Sequence, residues 1–247
     1  MEENLTEKIQ QLQKLIDGNN KIVFFGGAGV STESGIPDFR STDGLYHQKW
    51  DYPPETILSH EFFFAKTAEF YRFYREKLLV TGINPNPAHL KLAELEKKGK
   101  LSAVITQNID GLHQSAGSKN VFELHGSTLR NYCTKCGHFF DADYIRNNKD
   151  CTGIPLCSEC GGLIKPDVVL YNEGLDDNCV SGAIQALSEA DLLIIGGTSL
   201  TVYPAAGLIH YYHGKDIVLI NRDPGPGDNI ASLAIHDSIG KVLSQIS

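Results

Sequence analysis

Cys133-Thr134-Lys135-Cys136 and Cys157-Ser158-Glu159-Cys160 are two C-x-x-C pairs with twenty residues between them, and a glycine directly follows each pair. Thiolates at that spacing complete a tetrahedral zinc site with four protein ligands and no open position. Cys133, Cys136, Cys157 and Cys160 are therefore expected to hold Zn2+ as a structural ion, with redox or catalytic use of the thiols as the alternative. Other chemistry is offered at the ends of apolar runs. Lys21-Ile22-Val23-Phe24-Phe25 leads into Gly26-Gly27-Ala28-Gly29, which reads as a buried strand, a tight turn and a helix N-terminus whose free N–H groups attract phosphate. The G-x-G-x-x-G pattern is incomplete, because Thr32 stands where the third glycine belongs. On this stretch alone, a βα turn without a ligand remains open.

Two further runs end in reactive side chains. Ser102 to Thr106 reads as a strand that closes on Gln107-Asn108-Ile109-Asp110, and polar residues at the C-terminal end of a parallel strand are where open α/β sheets bind ligands. An Asx-rich turn is the alternative. Val121-Phe122-Glu123-Leu124 closes on His125-Gly126. An imidazole there either takes a proton near neutral pH or is a satisfied structural group. Asp191 to Gly196 runs into Gly197-Thr198-Ser199, a second small-residue turn suited to phosphate or ribose. Asp216 to Asn221 is the next strand, with Asn221 at its tip placed for a hydrogen bond to a ribose.

Gly27-Ala28-Gly29-Val30-Ser31-Thr32-Glu33-Ser34-Gly35-Ile36-Pro37-Asp38-Phe39-Arg40 matches the pattern G-A-G-x-S-x-x-S-G-I-P-D-F-R at every fixed position. With Gln-Asn-Ile-Asp, His-Gly and Gly-Thr-Ser following in order, the chain from Ile22 to Asn221 resembles the sirtuins, the NAD-dependent protein deacylases. Gly26 stands where that family often has threonine. The resemblance implies NAD as co-substrate, and transfer of an acetyl group from a substrate lysine to ADP-ribose with release of nicotinamide. It implies that the acyl oxygen attacks the nicotinamide ribose carbon, that Asn108 and Asp110 hold ribose and nicotinamide, and that His125 deprotonates a ribose hydroxyl. Phe39 would cover the reactive face. Gly27, Ala28, Gly29, Thr32, Asp38, Arg40, Gln107, Ile109, Gly197, Thr198, Ser199, Asn221 and Ile239 would complete the dinucleotide site, with Ile239 near adenine.

Lys165 to Glu173 is similar to the segment that sirtuins pair with a substrate peptide as an added strand. Val168, Val169, Tyr171 and Asn172 are the expected contacts, and Tyr171-Asn172 departs from the family's usual Phe-Gly. Sirtuins that prefer acidic acyl groups carry Tyr-x-x-Arg, whereas this chain has Tyr71-Arg72-Phe73-Tyr74, with Arg75 one place late. A neutral acyl group such as acetyl is the expectation. An NAD-dependent mono-ADP-ribosyltransferase or glycohydrolase shares the early chemistry and is the alternative. A dehydrogenase fits poorly, because the second strand arrives far later than in a compact βαβ unit of about 30 residues.

The elements that must position these groups follow from periodicity. Leu5, Ile9, Leu12, Leu15 and Ile16 recur at helical spacing, and Ala88 to Lys98 repeats the pattern. Between them, Ser41 to Tyr46 reads as a lid loop, and Thr56 to Val80 carries an aromatic stripe expected to form a helical module beside the nucleotide pocket. Strands alternating with helices predict an α/β fold, a doubly wound parallel (Rossmann-like) sheet with a smaller zinc-ribbon plus helical domain. The expected division is 1–41, 86–126 and 165–247 for the discontinuous NAD-binding domain, 42–85 for the lid loop and helical module, and 127–164 for the zinc ribbon.

The 247 residues suffice for a core of ordinary size, and a net charge of −8 argues against a broad electrostatic grip on nucleic acid. No apolar run approaches the ~18 residues of a membrane span, and Met1 to Thr6 lacks a secretory pattern. The expectation is a cytoplasmic monomer that acts on acetylated lysine peptides or proteins, with no nucleic-acid or membrane partner. Cys151 and Cys179 lie outside the metal spacing.

Overall fold

The computed structural model describes residues 4–38, 44 and 50–247. Nine strands are present among them: β1 (Ile22–Gly26), β2 (Leu101–Thr106), β3 (Val121–Glu123), β4 (Gly126–Cys133), β5 (Phe139–Asp141), β6 (Ile164–Val168), β7 (Leu192–Gly196), β8 (Asp216–Asn221) and β9 (Leu233–His236). Six form one sheet in the order β3-β2-β1-β7-β8-β9, and every pair in it is parallel. The chain runs outward from β1 to β3 and returns to the opposite side of β1 at β7, so the strand order reverses at β1. Open parallel sheets bind ligands at such a reversal, beyond the carboxyl ends of the strands.

Alternation along the strands explains why this sheet is covered on both faces. Ile22 and Phe24 point to one side, where they pack with Ile9, Leu12 and Ile16 of the first helix, Leu5–Gly18, and with Leu92 and Leu95 of helix Pro87–Lys97. Val23 and Phe25 point to the other, against Ala183 and Leu187 of helix Asp177–Glu189 and Leu208 and Ile209. The first helix begins as its sequence dictates: Asn4 and Glu7 form a reciprocal capping box that satisfies the free N–H groups of its first turn.

The second sheet is antiparallel, in the order β5-β4-β6. Gly126 pairs with Val168 and Cys133 with Ile164, so the residues on either side of the expected 126/127 and 164/165 boundaries belong to one antiparallel pair. The aromatic stripe forms helices His60–Ala65 and Thr67–Lys77. Phe63, Phe70, Tyr71, Phe73 and Tyr74 share one core with Phe140, Ile145, Ile164, Cys133 and Cys157. These helices therefore pack onto the cysteine-bearing sheet, because their apolar stripe and the inner face of that sheet each need the other's burial.

One local expectation differs. In place of an α-helix after the glycine turn, two short 3-10 segments occur, Ala28–Val30 and Thr32–Ser34, and Gly35 ends them at φ 88. Thr32 Oγ1 donates to the Gly29 carbonyl at 2.9 Å, which tightens the turn where continued helix would leave it open.

Candidate active site

Register brings the reactive segments together. Gly26 at the end of β1 is aligned with Thr106 of β2 on one side and Gly196 of β7 on the other. The turns that follow, 27–29, 107–110 and 197–199, consequently leave the sheet at the same edge. The glycines of the first turn are required by the approach of two loops. Gly29 N donates to the Gly197 carbonyl at 2.8 Å, and a Cβ on Gly29 would lie 2.7 Å from Gly197 Cα. A Cβ on Gly27 would lie 2.8 Å from Thr198 Cβ. Ala28, Gly29 and Thr32 remain half-buried at the rim.

A chain of buried and half-buried polar side chains crosses the floor of this edge. Asn108 Nδ2 donates to Ser31 Oγ at 3.0 Å, and Ser31 Oγ donates to Asp110 Oδ2 at 2.7 Å. The other Asp110 oxygen accepts from Leu112 N at 2.9 Å. Ser31 is 1% exposed and carries no role in the expectations above, although it occupies a fixed position of the glycine-rich signature. Ile109 is held through its carbonyl, which accepts from Thr128 N at 2.9 Å.

His125 joins the cluster from the corner between β3 and β4. Its Nδ1 lies 2.9 Å from the Gln107 carbonyl oxygen. A carbonyl only accepts, so Nδ1 carries the proton and the lone pair of the neutral ring resides on Nε2. Burial lowers the His125 pKa below its ordinary value, against the opposing effect of that carbonyl. The ring is thus held neutral, with Nε2 as an available base. Gly126 turns the chain at φ 73, and a Cβ there would meet the Asp167 carbonyl oxygen at 1.9 Å, so only glycine permits this corner.

The remaining expected contacts divide. Gln107 Nε2 is buried without a protein partner among the described residues, and Thr198 Oγ1 faces Gln107 Oε1 at 3.5 Å. An orphaned buried donor beside two glycine turns fits a polar ligand at this edge. Asn221 is engaged at both ends of its amide by the Thr198 backbone, at 3.1 and 3.0 Å. Ser199 is exposed and its Oγ bonds Thr201 Oγ1 at 2.8 Å. Ile239, expected near adenine, is 3% exposed within the core cluster of Phe24 and Val30. Asp38 is half-buried. Phe39, Arg40 and the expected lid residues Ser41 to Asp43 and Leu45 to Tyr46 lie outside the described residues.

The segment expected to meet a peptide leaves β6 beside His125, since Val169 N donates to the His125 carbonyl at 3.0 Å. Tyr171 uses its N–H on Leu58 and its carbonyl on His60 N, and Asn172 follows at φ 71. Away from this edge, the Sγ atoms of Cys133, Cys136, Cys157 and Cys160 all lie within 4.8 Å of one another. The Cys133–Cys160 and Cys136–Cys157 separations are 3.4 and 3.6 Å. Four thiolates about 2.3 Å from a tetrahedral zinc stand about 3.8 Å apart, so the cluster fits a zinc ion held by four protein ligands.

Fold and site together define a dinucleotide-binding α/β protein with a four-cysteine structural metal module. Residues 27–204 match the model of the Sir2 family, and the chain belongs to that family. It is 58% identical over 245 residues to an NAD-dependent protein deacetylase of Clostridium perfringens, covering 98% of this chain and 99% of that one. It is 57% identical over 244 residues to one from Clostridium acetobutylicum, with 98% and 99% coverage. Among solved structures, a Sir2 complex with a p53 peptide and NAD+ has a TM-score of 0.85 at 38% identity, covering 95% of each chain. A Sir2 bound to acetylated peptide has a TM-score of 0.84 at 36% identity, also covering 95% of each chain.

Proposed function

We propose that this protein is an NAD-dependent protein lysine deacetylase that moves the acetyl group of a substrate lysine onto ADP-ribose. The observation that carries this reading is the convergence, at one sheet edge, of a neutral His125 with free Nε2 and the Asn108–Ser31–Asp110 chain. NAD, when bound, supplies the ribose acceptor and nicotinamide as leaving group. Asn108 and Asp110 hold ribose and nicotinamide, with Ser31 fixing their spacing, and His125 accepts a hydroxyl proton at Nε2, a contribution typically of ~10²–10⁴-fold. Gly27, Ala28, Gly29, Thr32, Asp38, Phe39, Arg40, Gln107, Ile109, Gly197, Thr198 and Ser199 hold the dinucleotide. Asn221 acts on it through the Thr198 turn that its amide braces.

Neutral acyl groups suit the surroundings of Tyr71. Tyr71 OH donates to the Ile164 carbonyl at 2.5 Å, while Arg75 Nε and Nη1 donate to the Ile145 and Gly153 carbonyls at 2.9 and 2.6 Å. Both side chains are engaged inside the helical and cysteine modules, so neither is offered to an acidic acyl group. The domain division expected above is kept as a proposal, with the aromatic helices and cysteine module acting as one lobe on the strength of their shared core. Four cysteines held as thiolates suit a reducing compartment, which supports the cytoplasm. A net charge of −8 favours lysine-bearing protein substrates over nucleic acid. No helix among the described residues is long and apolar enough to cross a membrane. The proposed functional unit is a monomer.

Mass spectrometry of an acetyl-lysine peptide incubated with NAD tests the reading. Peptide mass loss with nicotinamide release is expected, and peptide mass gain would instead support an ADP-ribosyltransferase. A His125→Ala protein that retained full deacetylation would sink the assigned base.

A further inference from the structure

The expected peptide segment departs from the family pattern at Tyr171-Asn172, and side chains that the reaction does not use surround that departure. Asn172 stands at φ 71, a left-handed conformation disfavoured for residues with a Cβ unless local hydrogen bonds support it. Here Asn172 Nδ2 donates to Glu61 Oε2 at 2.9 Å. One residue on, Glu173 Oε2 accepts from Lys165 Nζ and from Leu170 N, each at 2.9 Å, and Glu173 Oε1 faces His60 Nδ1 at 2.9 Å. Between the two bridges the backbones are joined as well, since Tyr171 N donates to the Leu58 carbonyl and His60 N to the Tyr171 carbonyl, at 2.8 and 3.0 Å.

We infer that Glu61 and His60 are positioning residues for the acyl-lysine peptide, holding Asn172 and Glu173 so that the 168–172 edge is formed before the peptide arrives. This rests on the deacetylase reading above. The clamp lies at the surface, with His60, Glu61 and Asn172 all exposed, where single polar bridges add little to global stability. Strand addition draws its affinity from backbone geometry, and an edge ordered in advance avoids the ordering cost at binding. The clamp's effect is therefore expected on peptide affinity, leaving the dinucleotide half of the site untouched.

The test uses the full-length protein and an acetyl-lysine peptide labelled for fluorescence anisotropy, together with steady-state turnover. Glu61→Ala is expected to raise the peptide Kd and KM about three- to tenfold, the effect of one lost hydrogen bond, with the NAD KM and saturated kcat within twofold of wild type. Glu61→Gln, which keeps an acceptor for Asn172 Nδ2, is expected to restore wild-type values. In an Asn172→Gly background, where the left-handed turn needs no tether, Glu61→Ala is expected to change nothing. An unchanged peptide Kd in Glu61→Ala, a Glu61→Gln that behaves as Glu61→Ala, or a parallel fall in kcat and NAD affinity would overturn the clamp. Wild-type protein that binds the peptide without turnover overturns the deacetylase reading and leaves the anisotropy arm deciding the clamp. Wild-type protein that binds no acetyl-lysine peptide overturns both.

Discussion

Ser31 Oγ lies 2.7 Å from the Asp110 carboxylate, and the same oxygen accepts from Asn108 Nδ2 at 3.0 Å. A single buried hydroxyl thus sets the spacing between the two side chains assigned to ribose and nicotinamide. Ser31→Ala leaves the Asp110 oxygen and the Asn108 amide without their shared partner. Removing a hydrogen bond to a charged group is worth ~1.5–3 kcal/mol, so kcat/KM for deacetylation is expected to fall about 10- to 100-fold. Circular dichroism should show the fold retained, and a variant with unchanged kinetics would remove Ser31 from the mechanism.

His125 must be neutral to accept a proton, and its pKa is lowered by burial. The acidic limb of kcat/KM against pH is therefore expected below 6.5, the ordinary histidine value. Activity rises as pH increases through that limb and is complete at neutral pH. A limb at or above 6.5, traced with an acetyl-lysine peptide, would contradict a buried neutral base.

His89 and His113 are almost fully buried with ring centroids 4.7 Å apart, and three of their four ring nitrogens lack a protein partner among the described residues. Burial holds His89 down to about 4, against the pull of Asp110, and burial followed by the charge of His89 holds His113 down to about 3. Unfolded, both rings protonate near 6.5. The folded protein then binds fewer protons than the unfolded chain, and stability falls as pH drops from 6.5 towards 4. Each histidine contributes a slope of up to about 1.4 kcal/mol per pH unit. Urea midpoints at pH 7 and pH 5 should show this, and His113→Leu should flatten the difference.

Metal removal is expected to loosen more than the cysteine loops. Cys133 and Cys157 share a core with Phe63, Phe70 and Tyr71, and structural zinc contributes on the order of 10 kcal/mol to a small module. Hydrogen exchange after chelation should quicken in β4 to β6 and in helices His60–Ala65 and Thr67–Lys77, while β1, β2 and β7 stay protected. Uniform exchange across both sheets would show that the metal supports the whole molecule.

Much of the site was legible because its parts are contiguous. Apolar runs closing on Gly27-Ala28-Gly29, Gln107 to Asp110 and Gly197-Thr198-Ser199 place polar groups at strand ends whatever the neighbours of those strands are. The cysteine spacing likewise needs no tertiary knowledge, since each pair is a local knuckle. Ser31 was harder to read, because its partners lie 77 and 79 residues away and its fixed place in the glycine-rich signature names no partner. A separation of 23 residues hides the engagement of Asn221 by Thr198, and the burial of Ile239 depends on the distant Phe24 and Val30 in the same core.

By itself, then, the chain determined which residues end the strands, which thiols gather and which family pattern is carried, because hydrophobic periodicity and short spacings act within a few residues. Tertiary structure alone decided that Gly26, Thr106 and Gly196 align, that one hydroxyl couples Asn108 to Asp110, and which side chains form the shared core of the expected zinc-ribbon and helical domain. Those outcomes depend on two distant surfaces excluding water together, a free energy that belongs to neither segment until both are folded.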